Sequence, residues 1–199
     1  MLNSFNEIIE NRRSFYDISS DMVVSKERVI EIVEHSIKYA PSAFNSQSSR
    51  AVILFGDDHR KLWQIAKDIL KNILQPEIFE LTDKKLSSFQ TGAGTVMFFE
   101  DQTIIENLQK QFVSFKDNFP LWSLQSSGMA QYLTWISLEK EGFGASLQHY
   151  NPLIDSRIKS VWKIPEKWRL NSEMVFGKPI SKPAAKEFQP IENRVIHFG

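Results

Sequence analysis

The chain contains no cysteine. That excludes disulfides, thiolate nucleophiles, zinc ribbons and cysteine-ligated iron–sulfur clusters together, and a cytoplasmic, reducing setting is the expectation. Glycine and proline are sparse, 8 of each in 199 residues, which excludes collagen-like and low-complexity architectures. Neither sign of charge is in excess, 24 Lys plus Arg against 24 Asp plus Glu. A neutral balance removes the electrostatic footprint of bulk nucleic-acid binding, so no nucleic-acid partner is expected. No apolar run reaches the ~18–20 residues that span a bilayer. The opening Met1–Glu7 lacks the basic and apolar regions of a signal peptide. No membrane association is expected.

Motifs of several chemistries are missing as well. His35, His59, His149 and His197 show no metal-ligand spacing, and His35 and His59 are expected at the surface or its boundary. There is no P-loop and no Gly-x-Ser-x-Gly elbow. Gly92-Ala93-Gly94 begins like a dinucleotide fingerprint, but Met97 stands where the third glycine belongs and the run precedes a strand. No metal and no catalytic side chain are assigned.

Aromatic residues, in contrast, are plentiful: 15 Phe and 5 Trp, suited to a large core or a flat ligand. Periodicity predicts a helix over 3–11 and one from the Ser25 cap to Tyr39, stopped by Pro41. A polar loop over 41–49 follows, then a strand over 50–55, a turn at Gly56-Asp57-Asp58 and a helix to about Leu74. Residues 76–90 read as helix and loop, 95–100 as a strand, 101–116 as weakly helical and 121–140 as a long helix. A strand over 144–150 precedes a helix opened by Asn151 as cap and Pro152 at its first position, ending near Lys163. A last strand covers 172–176. Strands alternating with helices predict one α+β domain over residues 1–199.

Three polar clusters interrupt this pattern. Asn11-Arg12-Arg13-Ser14 offers forked cationic donors and a hydroxyl suited to a phosphate; cations at a helix end also complement the helix dipole. Ala40-Pro41-Ser42-Ala43-Phe44-Asn45-Ser46-Gln47 carries planar amides that match a heterocycle edge alternating N–H and C=O, such as a flavin's pyrimidine side; an ordinary polar loop has the same composition. Lys178, Lys182 and Lys186, spaced by prolines, suit either closure over a phosphate or a solvated tail.

Together these segments resemble the FMN-dependent nitroreductase superfamily over nearly the whole chain, element order included. The Gly94–Asp101 strand, Gly-Thr-Val-Met-Phe-Phe-Glu-Asp, resembles its smaller branch of fungal and bacterial members. Many members follow the Asn-x-Gln with Pro-Trp, whereas this chain has Ser48-Ser49-Arg50, and Tyr16 stands where many carry a basic residue.

The resemblance implies a nitroreductase-like α+β fold: a central mixed or antiparallel sheet flanked by helices and completed by a partner's C-terminal tail in a homodimer. It implies FMN as cofactor and NAD(P)H as electron donor. The implied reaction is ping-pong transfer of hydride through FMN to a small aromatic acceptor, a nitroaromatic or quinone; a non-catalytic flavin store or redox sensor is the alternative. By the same resemblance Arg12, Arg13 and Ser14 contact the FMN phosphate and the ring's pyrimidine side, and Lys186 the phosphate. Pro41, Ser42, Ala43, Asn45 and Gln47 form a loop laid along the flavin by the partner subunit. Leu147, Gln148 and His149 pass near the ring. The helix over 121–140, apolar around more than one stripe, is implied as the pairing element, although a helix buried within one subunit would look similar.

Overall fold

The computed structural model describes residues 4–199; Asn3, expected to open the first helix, lies outside them. Helix α1 (Phe5–Asn11) starts at Ser4 with a reciprocal cap, in which Ser4 Oγ accepts from Glu7 N and Glu7 Oε2 accepts from Ser4 N. Strand β1 is short (Ile18–Ser19). Helix α2 (Lys26–Tyr39) is capped by Ser25 as its sequence predicts. There follow β2 (Ser49–Phe55), α3 (Gly56–Lys71), α4 (Pro76–Gln90), β3 (Gly94–Asp101), α5 (Gln102–Gln111), α6 (Phe119–Lys140), β4 (Gly144–Gln148), α7 (Asp155–Trp162) and β5 (Trp168–Pro179).

The sheet is antiparallel. β3 lies between β2 and β5, and β5 also pairs with β4 and, at its C-terminal end, with β1. One row across it reads Val52, Met97, Glu173, Gln148. Both faces are covered. Met97, Phe99 and Val175 join Leu62, Trp63, Leu86, Phe89 and Ile158, beneath α3, α4 and α7. Val96, Phe98, Met174 and Phe176 join Val29, Val33 and Leu138, beneath α2 and α6. A strand packed on both sides needs no polar alternation, which is why β3 reads as a nearly continuous apolar run. Its one wholly buried charged residue is Glu100.

Several expectations are corrected. Gly56-Asp57-Asp58 is not a separate turn: Gly56 takes φ +55°, reverses the chain within one residue and begins α3. Asp57 and Asp58 then fall in that helix's first turn, where acidic groups complement the dipole. The Asn151–Pro152 peptide is cis and lies in a turn, so α7 opens at Asp155 rather than at Pro152. β5 is much longer than its predicted core because its polar ends pair with β3 and β1. His59 is not at the surface: it shares the buried stripe of α3 with Leu62, Trp63 and Ala66.

Among the described residues no helix is long and apolar enough to cross a membrane. From Ser181 onward the chain runs exposed, apart from half-buried Pro183, with Phe188, Ile191, Val195, Ile196 and Phe198 all open to solvent.

Candidate functional site

The fold brings the first and third polar clusters together. α1 ends at Arg12, and the next residues join the sheet: Ser14 bridges Ala145, and Phe15 N donates to Ala145 O at 3.0 Å. The start of the tail folds back over this segment, with Arg13 donating to Ala184 O at 2.7 Å. A cavity of about 530 Å³ results, lined by Arg12, Arg13, Ser14, Lys182 and Lys186 among others, with Asp17 the one acidic group on its wall. A second cavity, about 620 Å³, shares Arg12, Arg13 and Lys186 and extends to Tyr132 on α6 and Phe188 on the tail. Lys178 stays outside both, on β5 at 3.8 Å from Asp21.

Arg12 has a built seat. Its guanidinium lies over the Trp135 ring, 4.5 Å from the centroid. One turn on, Glu139 is half-buried, and burial pushes its carboxyl up to about 7 against the pull of Arg12. Trp135 and Glu139 stand four residues apart on α6 and so share a helix face. Sequence reasoning assigned neither to the site, since Glu139 opens the charged run Glu139-Lys140-Glu141 at the helix end and carries no signal of its own. Of the three tail lysines offered as a phosphate closure, Lys182 and Lys186 line the cavity.

The second cluster lies elsewhere in the chain. Ser14 sits beside the row of Ala145, Phe176 and Gly94, whereas the loop's exit at Ser49 pairs with Glu100. The six residue steps of β3 from Gly94 to Glu100 span roughly 20 Å. α6 provides a second ruler: Phe44 of the loop stacks on Trp122, and Arg12 stacks on Trp135, thirteen residues or about 20 Å along the helix.

Within the loop Phe44, Asn45 and Gln47 hold left-handed φ values of 57°, 50° and 49°. Phe44 is buttressed by Phe112, Phe115, Phe119 and Trp122, with ring centroids 4.8–6.0 Å away. Ser42 Oγ accepts from Gln47 N at 3.0 Å. The Asn45 and Gln47 side chains are exposed, Pro41 is exposed and Ala43 is half-buried. Beneath the exit, burial pushes the Glu100 carboxyl up while the Ser48 and Ser49 hydroxyls pull it down, with a net rise.

The third predicted segment adjoins the first through Ala145. Leu147 packs into the core under α2 and α6, Gln148 is buried and donates to Ser146 Oγ at 3.1 Å, and His149 is exposed.

A family model described as the nitroreductase family matches residues 9–178. The Saccharomyces cerevisiae protein HBN1 is 36% identical over 191 residues, covering 94% of this chain and 93% of its own. Nitroreductase CinD from Lactococcus lactis, solved in complex with chloramphenicol, superposes with a TM-score of 0.90 at 40% identity over 98% of this chain and 100% of that one; it has also been solved with 4-nitrophenol. An Exiguobacterium sibiricum protein solved in complex with FMN shares the fold, with a TM-score of 0.73 at 15% identity over 98% of each chain.

Proposed function

Because the chain belongs to the nitroreductase family of oxidoreductases, we propose that it is an FMN-dependent reductase that passes electrons from NAD(P)H to flat aromatic acceptors by ping-pong kinetics. The observation that carries this reading is the convergence of Arg12, Arg13, Lys182 and Lys186 on one cavity with Ser14 at its wall. Four cations and a hydroxyl fit a dianionic terminal phosphate. With no fingerprint for an adenine half, that phosphate favours FMN over FAD. FMN bound there would take hydride from NAD(P)H and deliver the electrons to the acceptor. The protein's own part is to hold and polarise: Trp135 keeps the Arg12 guanidinium flat at the cavity, and cationic and amide donors favour the negative charge of a reduced ring. The acceptor class follows the nitroaromatic molecules found with the Lactococcus protein.

The working unit in this reading is a homodimer. Arg12 and the amide loop are too far apart in one subunit to meet on one ring. The exposed stripe of α6, Leu121, Leu124, Gly128, Met129 and Tyr132, runs between them. Two copies of α6 crossing antiparallel near Gly128 bring Trp122 and the loop of one subunit opposite Tyr132 of the other. Tyr132 already lines the cavity shared by Arg12, Arg13 and Lys186. β2 leaves one edge of the sheet unpaired, beside a groove of Ile30, Ile37, Ile53 and Trp168 that suits the apolar tail segment Val195–Phe198 of the partner.

The test is direct. The purified protein should show an oxidised-flavin spectrum, release FMN on denaturation, and oxidise NADH or NADPH anaerobically with 4-nitrophenol. Arg12→Ala should weaken FMN retention roughly tenfold to a hundredfold. Chains carrying Arg12→Ala and chains carrying Asn45→Ala with Gln47→Ala, each poor in flavin alone, should recover one full site per mixed dimer, since one site then receives both intact halves. FAD, or no flavin after reconstitution, overturns the reading. Bound flavin without turnover makes the protein a store or sensor.

A further inference from the structure

A buried carboxylate at the end of an apolar strand is costly unless something nearby needs it. Glu100 is wholly buried and both of its oxygens are engaged: Oε2 accepts from Ser48 Oγ and Oε1 from Ser49 Oγ, each at 2.5 Å. Ser48 and Ser49 are the first residues after the amide loop. The neighbouring acid continues the arrangement. Asp101 N donates to Ser48 O at 2.9 Å, and Asp101 Oδ2 holds Arg50 at 3.2 Å. Arg50 in turn donates to Gln47 O at 2.7 Å and to Ser49 O at 3.0 Å.

The peptide groups of Gln47 are thus fixed on both sides, its N–H by Ser42 Oγ and its carbonyl by Arg50. Gln47 needs this support, because it holds a left-handed backbone with a side chain that disfavours it. If only the core mattered, an apolar residue at position 100 would serve it better than an ion.

We propose that Glu100 and Arg50 are positioning residues for the flavin loop: they clamp its exit through Ser48, Ser49 and the Gln47 carbonyl, and thereby set where the Asn45 and Gln47 amides meet the cofactor. This rests on the FMN reading above. Glu100 is buried beneath the loop and acts through Ser48 and Ser49. In Glu100→Gln the new NH2 group must donate where a carboxylate oxygen accepted, so one serine hydroxyl loses its acceptor and turns away. Arg50→Ala frees the Gln47 carbonyl.

The experiment measures FMN binding to apoprotein by flavin fluorescence, together with the midpoint potential of the bound flavin and thermal melting. Glu100→Gln and Arg50→Ala should each weaken FMN binding roughly tenfold and shift the potential. Ser48→Ala with Ser49→Ala should reproduce the Glu100→Gln loss and add little when combined with it. That pair also keeps the test decisive if Glu100→Gln does not fold. Lower melting temperatures with wild-type affinity and potential would reduce the clamp to a structural role and overturn the proposal. So would fully additive losses from glutamate and serines. Wild-type apoprotein that takes up no FMN would overturn the functional reading itself, and the clamp's purpose with it; wild-type uptake with unaffected variants overturns the clamp alone.

Discussion

His59 and Glu173 are buried ionisable residues on the α3 side of the sheet, and they tilt stability with pH in opposite directions. Thr95 Oγ1 accepts from Trp63 Nε1 at 3.1 Å and pairs with His59 Nδ1 at 2.8 Å. Burial pushes the His59 imidazole down to about 4, aided by Arg60. The unfolded chain therefore takes up a proton below its ordinary 6.5 while the folded chain does not, and stability falls as pH drops from about 6.5 to about 4. Glu173 is the reverse. Burial pushes its carboxyl up to about 8, with Asp155 adding to the rise and the Tyr150 N–H opposing it. The unfolded chain ionises above 4.5 while the folded chain keeps its proton, so stability is lost as pH rises from about 4.5 to about 8. Urea unfolding should show the stability of Glu173→Gln at pH 8 minus that at pH 5 lying roughly 2–4 kcal/mol above the same gap in wild type, with the opposing rise from His59 left uncancelled. An unchanged gap would refute the assignment.

At the scale of elements, β4 sets the position of the cationic segment. Gly144 opens the strand with no room for a side chain: a Cβ there would lie 2.7 Å from Phe15 Cγ and 3.1 Å from Pro179 Cγ. Phe15 follows Ser14 and is tied to Ala145. Gly144→Ala should therefore cost about 1–3 kcal/mol through overpacking and displace the Arg12–Ser14 segment. Chemical denaturation and flavin occupancy after dialysis should fall together; occupancy retained in a destabilised variant would separate the strand from the site. Elements also differed in how far the chain announces them. α2 and β3 carry a cap, a period or an unbroken β-branched and aromatic run, so local chemistry alone specifies them. β1 is two residues long and the ends of β5 are runs of two to four residues around charged side chains, too short to announce themselves, and they become strands because partner strands lie beside them.

For the whole molecule the question is what covers α6. Its inner residues Ala130, Thr134, Ile136 and Leu138 are buried in the subunit, while Leu121, Leu124, Met129 and Tyr132 are exposed. Gly128 meets nothing within 4 Å. A side chain there does not disturb the subunit and removes a helix-weakening glycine, a gain of up to about 1 kcal/mol. Gly128→Glu should hence leave the secondary structure of the folded chain intact, yet sediment as a monomer and lose FMN. A flavin-loaded dimer in that variant would show that the subunits pair by another face.

The sequence by itself determined the α+β class and most helix positions, and offered candidates to hold a phosphate, because caps, periodicity and side-chain chemistry are local properties. Arg12, Arg13, Ser14 and Lys186 were legible on those grounds. Only the tertiary structure decided that Lys182 joins them while Lys178 does not, since that depends on how the tail folds back through the Arg13–Ala184 bond. It also decided that His59 is core, that Arg12 rests on Trp135, and that Glu100 lies under the amide loop. Each of these is a contact between residues far apart in the chain, set by sheet register and helix packing, and no local pattern encodes which distant partner a side chain will meet.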